Sequence, residues 1–216
     1  MTFRLPFRRA DDRATTTEPP FDPSSWTGAL LIMAGVTAGL WVIQIANAEH
    51  DYSFNRFGLK PREVDGLWGV LTQPFLHEGY RQMLSATVPL LAIGWALLLS
   101  GIRVWTFVTA FVVVVGGLAA WLVGPSGTTI VGASSMVFGW LGYLIARAYF
   151  SRRFKWIVIA AALLIFFGTW LGGLVPHAGA SWQAHLCGFL AGVLVGWLLH
   201  PRRVARGGPA RRAPVG

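Results

Sequence analysis

Apolar residues dominate six stretches of the chain, and each stretch is long enough to cross the hydrocarbon core of a bilayer. A helix rises about 1.5 Å per residue, so roughly 17–25 apolar residues cover the core. The pattern therefore predicts an all-α membrane protein, a bundle of six transmembrane helices. The six predicted spans are 27–48, 83–100, 104–123, 132–150, 156–174 and 182–199.

Polar segments divide the rest of the chain into a long first loop and two tails. The loop covers about 30 residues, at 50–81, between the first two predicted spans. The sequence predicts a disordered cytoplasmic tail at 1–26, a bundle domain at 27–200 and a basic cytoplasmic tail at 201–216. Residues 1–26 contain no apolar core of a secretory signal peptide, so the first span is expected to act as its own signal.

Composition and charge support a membrane location and predict an orientation. The chain is 54% hydrophobic and 12% charged, with a net charge of +9. With six spans, both tails lie on one side, and the segments on that side hold 14 of the 18 Lys and Arg residues. The positive-inside rule then predicts a multi-pass protein of a bacterial plasma membrane with cytoplasmic termini. The basic charge indicates topology and contact with the lipid bilayer, not a nucleic-acid partner.

Two polar side chains within the apolar spans are candidates for catalysis. Ser134 opens the fourth span and His185 lies in the first turns of the sixth. In the predicted topology both helices enter from the outer face, about 3 and 6 Å below it, so the two depths nearly match. A titratable group inside a span usually marks function. We therefore predict that Ser134 is a nucleophile and that His185 is its general base.

Small residues predict that these two helices touch. Helices with small residues at four-residue spacing can approach each other closely, although such patterns occur in many helix bundles. His185 lies one turn before Gly188 of the sixth span, on the same face. The sixth span carries Gly188, Gly192 and Gly196, and the fourth carries Ser135, Gly139 and Gly142.

Two further features would support a reaction at Ser134. Its predicted position at a helix N-terminus favours negative charge, as an oxyanion requires. Phe138 follows four residues later on the same face, and it could hold the imidazole ring in place of an acidic third residue. The alternative for Phe138 is an ordinary core aromatic.

Other chemistries lack the residues they need. Cys187 is the only cysteine, no paired-histidine zinc motif is present, and no aspartate falls inside a span. We therefore expect no metal and no cofactor. A small channel or transporter is disfavoured because no charged residues line a path through the spans.

The sequence around the candidate pair resembles the rhomboid family of intramembrane serine proteases. The resembling segments are GASSMVFGWLGYL at 132–144, AHLCGFLAGVLVGW at 184–197 and FLH at 75–77, and the similarity runs from about residue 26 to 200. The resemblance implies a rhomboid-like bundle that cleaves transmembrane protein substrates near the outer membrane face with a Ser134–His185 dyad. Gly132 belongs to the serine motif and would support the oxyanion site.

The resemblance also gives expectations for the first loop. Trp68 would lie beside the path of substrate access, or the loop is a plain amphipathic connection resting on headgroups. His77, where the loop meets the second span, would be a helper near the water path or an interface residue.

Departures from the family pattern leave a second function open. The histidine and asparagine that help to hold the oxyanion in active members correspond to Gln82 and Ala86, and Ala86 cannot donate a hydrogen bond. Ser135 stands where the signature has glycine, and Ser134 remains the favoured nucleophile. The alternative is a catalytically weak or inactive rhomboid-like protein that binds transmembrane segments.

Overall fold

The structure is a computed structural model that describes residues 22–176 and 181–200. The predicted tail at 201–216 and most of the tail at 1–26 lie outside the described residues. The described part is helical, with loops and one isolated β-bridge. Its α-helices are α1 (Trp26–Glu49), α2 (Gly69–Thr72), α3 (Tyr80–Leu98), α4 (Ile102–Phe111), α5 (Gly117–Val123), α6 (Ser134–Ser151), α7 (Phe154–Phe167) and α8 (Trp182–Leu199).

Five helical segments of the described chain are long and apolar enough to cross a membrane. They include a rod at Ile102–Val123, in which a π-helical turn at Val112–Gly116 joins α4 to α5. They also include Phe154–Leu174, in which α7 continues as a 3₁₀ helix at Gly168–Leu174. The protein is therefore a multi-pass integral membrane protein. The other three segments are α1, α3 and α8.

Helix α6 is the buried centre of the bundle and is not among those five segments. Trp140, Leu141, Tyr143 and Leu144 in its middle are each at most 1% exposed. Neighbouring helices screen these side chains, so α6 does not need the uniformly apolar surface that lipid contact requires. A sixth span at this helix remains a prediction from the sequence.

Helices α6 and α8 pack with their backbones in close contact. A Cβ atom added at Gly192 would overlap the carbonyl oxygen of Gly139, and one added at Gly188 would overlap that of Ser135. Only glycine allows this approach, so the small-residue stripes form the contact between the two helices. The contact also brings the first turns of α6 and α8 together.

The connection between α1 and α3 is folded against the bundle. It contains 3₁₀ helices at Ser53–Phe57, Val64–Gly66 and Gln73–Phe75, together with α2. An antiparallel bridge between Leu59 and Ile130 ties it to the segment before α6, with N–H···O distances of 3.0 and 2.8 Å. The connection thereby covers the N-terminal end of α6.

Candidate active site

The first turns of α6 and α8 place a hydroxyl and an imidazole within hydrogen-bonding distance. Oγ of Ser134, the first residue of α6, lies 2.8 Å from Nε2 of His185. Both residues are partly exposed. The geometry that a serine nucleophile and its base require is therefore present in this structure.

The opposite side of the imidazole contacts a backbone carbonyl. Nδ1 of His185 lies 3.0 Å from the carbonyl oxygen of Gly173. A carbonyl oxygen only accepts hydrogen bonds, so Nδ1 carries the proton in the neutral ring. Nε2 is then left with a lone pair that accepts the hydroxyl hydrogen of Ser134. The carbonyl thus orients the ring as an acidic third residue does in other serine hydrolases.

Aromatic rings hold the imidazole from a third direction. The ring centroid of Phe138 lies 4.7 Å from that of His185, at an interplanar angle of 31°. Trp170 stacks on Phe138 with centroids 5.6 Å apart. The spacing of Phe138 to Ser134 allows this contact from the sequence, beside the alternative of an ordinary core aromatic. The sequence gives no signal for Trp170 or for the carbonyl of Gly173, because both lie on a 3₁₀ turn that apolar periodicity does not reveal.

The N-terminus of α6 has no side-chain cap. The preceding residue, Ala133, offers no capping side chain, and Gly132 has φ of +125°, a conformation that favours glycine. The N–H of Gly132 donates to the carbonyl of Gln73 at 2.9 Å. The N–H of Ser134 belongs to the first helical turn, whose donors have no acceptor within the helix. This end of α6 therefore offers a backbone donor next to the Ser134 hydroxyl.

Gln82 and Ala86 lie on α3 and both line the cavity beside the pair. Nε2 of Gln82 donates to the carbonyl of Val131 at 3.1 Å, and its Oε1 accepts the N–H of Glu78 at 2.7 Å. The Gln82 amide is thus fixed next to Gly132. Ala86 is buried and contributes only a methyl group.

His77 is fully buried behind the N-terminus of α6, although it also borders the cavity. Its Nε2 lies 3.4 Å from the N–H of Ala133, which donates to it. Burial lowers the pKa of His77 from 6.5 to about 4, so the ring is neutral at physiological pH. Trp68 is 74% exposed on the first connection and does not line the cavity.

A cavity of about 690 Å³ connects these groups. It lies between α3, α6, the 3₁₀ turn at Gly168–Leu174 and the start of α8. The described residues contain no group of three or more His, Cys, Asp or Glu side chains that could hold a metal ion. The lining includes Gln82, Ala86, Gly132, Ser134, Phe138, Trp170 and His185.

Comparison with known proteins identifies the family. The family model named Rhomboid domain matches residues 64–202. The uncharacterized protein Rv1337 of Mycobacterium tuberculosis is 34% identical over 204 residues, which cover 90% of this chain and 85% of that protein. The uncharacterized protein ML1171 of Mycobacterium leprae is 34% identical over 190 residues, covering 81% of this chain and 75% of that protein. The chain therefore belongs to the rhomboid family.

Proposed function

We propose that this protein is an intramembrane serine endopeptidase that cleaves transmembrane segments, with Ser134 as nucleophile and His185 as general base. The observation that carries the proposal is the 2.8 Å separation of Ser134 Oγ from His185 Nε2, with Nδ1 of the same ring 3.0 Å from the Gly173 carbonyl. An imidazole held between a hydroxyl and a fixed acceptor is the arrangement that activates serine in acyl transfer.

The reaction follows from the positions of these atoms. Oγ of Ser134 attacks the carbonyl carbon of the scissile peptide bond while its proton passes to Nε2 of His185. When the C–N bond breaks, the same proton goes from Nε2 to the leaving amine, and the substrate remains as an ester on Ser134. A water molecule then gives a proton to Nε2 and attacks the ester. The proton returns to Oγ as the carboxylic acid product leaves.

Backbone and side-chain donors would stabilise the negative charge of the tetrahedral intermediate. The N–H of Ser134 lies at the uncapped, positive end of α6. Gln82 has a second amide hydrogen besides the one given to Val131 and borders the same cavity. Ala86 supplies no donor. Loss of one oxyanion donor typically lowers kcat by about 10²–10³-fold, so we expect a slow enzyme.

The substrate would be a transmembrane segment whose backbone unwinds beside the cavity. A helical substrate keeps its carbonyls within its own hydrogen bonds, whereas attack requires an exposed carbonyl. We place the cavity at the outer face of a bacterial plasma membrane and both termini in the cytoplasm, because most basic residues lie in the opposite segments. Trp68 on the first connection would contact lipid headgroups near the substrate.

A second candidate function is binding of transmembrane segments without cleavage. Ala86 lacks a donor, and both the oxygen and the nitrogen of the Gln82 amide already have protein partners. If neither side chain reaches the oxyanion, only backbone donors remain.

Reconstitution of the full chain in liposomes with a model type I transmembrane substrate separates these functions. We expect slow cleavage by the wild type, none above background by Ser134→Ala, and retained cleavage by the matched control Ser135→Ala. Substrate that stays intact with wild type but co-purifies with it would support binding alone. Cleavage by Ser134→Ala equal to that of the wild type would reject Ser134 as nucleophile.

A further inference from the structure

A second cleft lies at the other end of α6, where α7 begins and α8 ends. Its volume is about 710 Å³. Arg147 lies 13 residues after Ser134 on the same helix, which corresponds to about 20 Å along its axis. The cleft is therefore separate from the Ser134–His185 cavity. We call it the basic cleft, and its lining includes Arg147, Ser151, Arg153, Trp156, Leu199 and His200.

Side chains hold the guanidinium of Arg147 in place without neutralising it. Nη1 of Arg147 donates to the hydroxyl of Tyr143 at 2.9 Å, and the guanidinium carbon lies 3.7 Å from the centre of the Trp156 ring. The hydroxyl of Tyr143 also lies 3.2 Å from Nε2 of His200. These groups orient a cation by a hydrogen bond and a cation–π contact, and none of them carries negative charge.

The basic cleft therefore contains positive charge without a carboxylate to balance it. The one ion pair among the described residues is Lys60–Asp65, in the first connection. Among the residues that the structure describes, no Asp or Glu lines the cleft, and none occurs after His200 in the sequence. Burial and the nearby charges of Arg147 and Arg153 lower the pKa of His200 below its usual value. Arg147 is half-buried, and a cation withdrawn from water normally has an anionic partner, so an external anion would complete this site.

We propose that the basic cleft binds the phosphate headgroup of an anionic phospholipid. Arg147 and Arg153 supply the charge that attracts a phosphodiester, and Arg is well suited to phosphate oxygens. The ring of Trp156 contacts both Arg147 and Lys155, whose Nζ is 5.0 Å from the ring centre. Clusters of basic side chains at one end of transmembrane helices are typical of sites for anionic headgroups.

The surroundings favour a lipid over a soluble phosphate. Exposed apolar or aromatic side chains flank the cleft, including Phe154, which is 80% exposed, Tyr149 at 60% and Leu198 at 51%. In a membrane protein such side chains contact acyl chains. One lipid can therefore place its phosphate in the cleft and its tails along α7 and α8.

Native mass spectrometry of the purified full chain in detergent tests this site directly. The protein is titrated with phosphatidylglycerol and with phosphatidylcholine that carry identical acyl chains, so that only the headgroups differ. We expect phosphatidylglycerol to bind at least about five-fold more tightly, as roughly one basic contact would provide. Arg153→Gln should reduce that preference, because it removes one of the two arginine charges of the cleft. Arg153 is exposed, so its replacement leaves the Arg147 contacts in place.

Arg152→Gln is the matched control. Arg152 is the neighbouring residue, is likewise exposed and carries the same charge, but it does not line the cleft. We expect it to keep the preference for phosphatidylglycerol. Equal binding of the two lipids to the wild type, or an equal loss in Arg152→Gln and Arg153→Gln, would overturn the proposal. So would displacement of phosphatidylglycerol by an equimolar amount of inorganic phosphate, which would identify a soluble anion as the ligand.

Discussion

Replacing Gly173 by alanine would crowd His185 from the side opposite Ser134. A Cβ atom at Gly173 would lie 3.3 Å from Nδ1 of His185 and 3.1 Å from Cζ of Phe138. Both distances are below the optimum of about 3.5–4.0 Å for non-bonded carbon contacts, so the imidazole must shift by a few tenths of an ångström. A push from the Nδ1 side moves the ring toward Ser134, so the 2.8 Å contact between Nε2 and Ser134 Oγ would be compressed and lose its alignment.

The expected effect on reactivity is moderate. A misplacement of 1 Å at a reacting group can lower the rate by about 10²-fold. For a shift of a few tenths of an ångström we expect a three- to ten-fold decrease, roughly 0.7–1.4 kcal/mol in activation free energy. The measurement is the second-order rate constant for labelling of Ser134 by a fluorophosphonate, which reports on serine activation without a known substrate.

Gly172→Ala is the control in the same 3₁₀ helix. A Cβ atom at Gly172 would meet no heavy atom within 4 Å, so it adds the same methyl group without touching the imidazole. We expect Gly172→Ala to label at the wild-type rate. Equal labelling rates for Gly172→Ala and Gly173→Ala would refute the idea that close contact at Gly173 positions His185.

Three further substitutions test other parts of the account. Gly192→Ala should destabilise the fold by roughly 1–3 kcal/mol in denaturant titrations, because the new Cβ would overlap the Gly139 carbonyl, whereas Gly39→Ala meets nothing within 4 Å and should not. Gln82→Ala should lower kcat by about 10²-fold with little change in KM if its amide holds the oxyanion; an unchanged kcat would exclude that role. The folded-state pKa of His77, about 4, is below its unfolded value of 6.5, so unfolding takes up a proton between these pH values. Stability should therefore fall as pH drops from 6.5 to 4, by up to about 3 kcal/mol, and His77→Gln should lose this pH dependence.

The hydrophobic pattern predicted the bounds of the apolar helices to within a few residues, but it did not predict the π and 3₁₀ turns within them. The predicted span 182–199 coincides with α8, Trp182–Leu199, and 104–123 lies within the rod Ile102–Val123. Apolarity alone could not reveal the π turn at Val112–Gly116 or the change to 3₁₀ geometry at Gly168. The hydropathy of an apolar segment is the same whether its backbone forms an α-helix, a 3₁₀ helix or a π-helix.

The contacts in the candidate site could be predicted from the sequence only where side-chain type and helical spacing determine them. The contacts of Ser134, His185 and Phe138 follow from a polar pair within apolar spans and a four-residue spacing on one helix. The contact of the Gly173 carbonyl with His185 depends on the backbone path of a different segment. Because every residue has a carbonyl, residue type gives no signal for this contact. The burial of His77 likewise depends on how the first connection folds over α6, and local sequence does not encode that burial.

Mapping the site of fluorophosphonate modification by mass spectrometry tests the central claim most directly. In wild-type protein reconstituted in lipid, we predict an adduct on Ser134, and we predict that His185→Ala reduces it to background. An adduct on Ser135, or labelling of Ser134 that is undiminished in His185→Ala, would contradict the account.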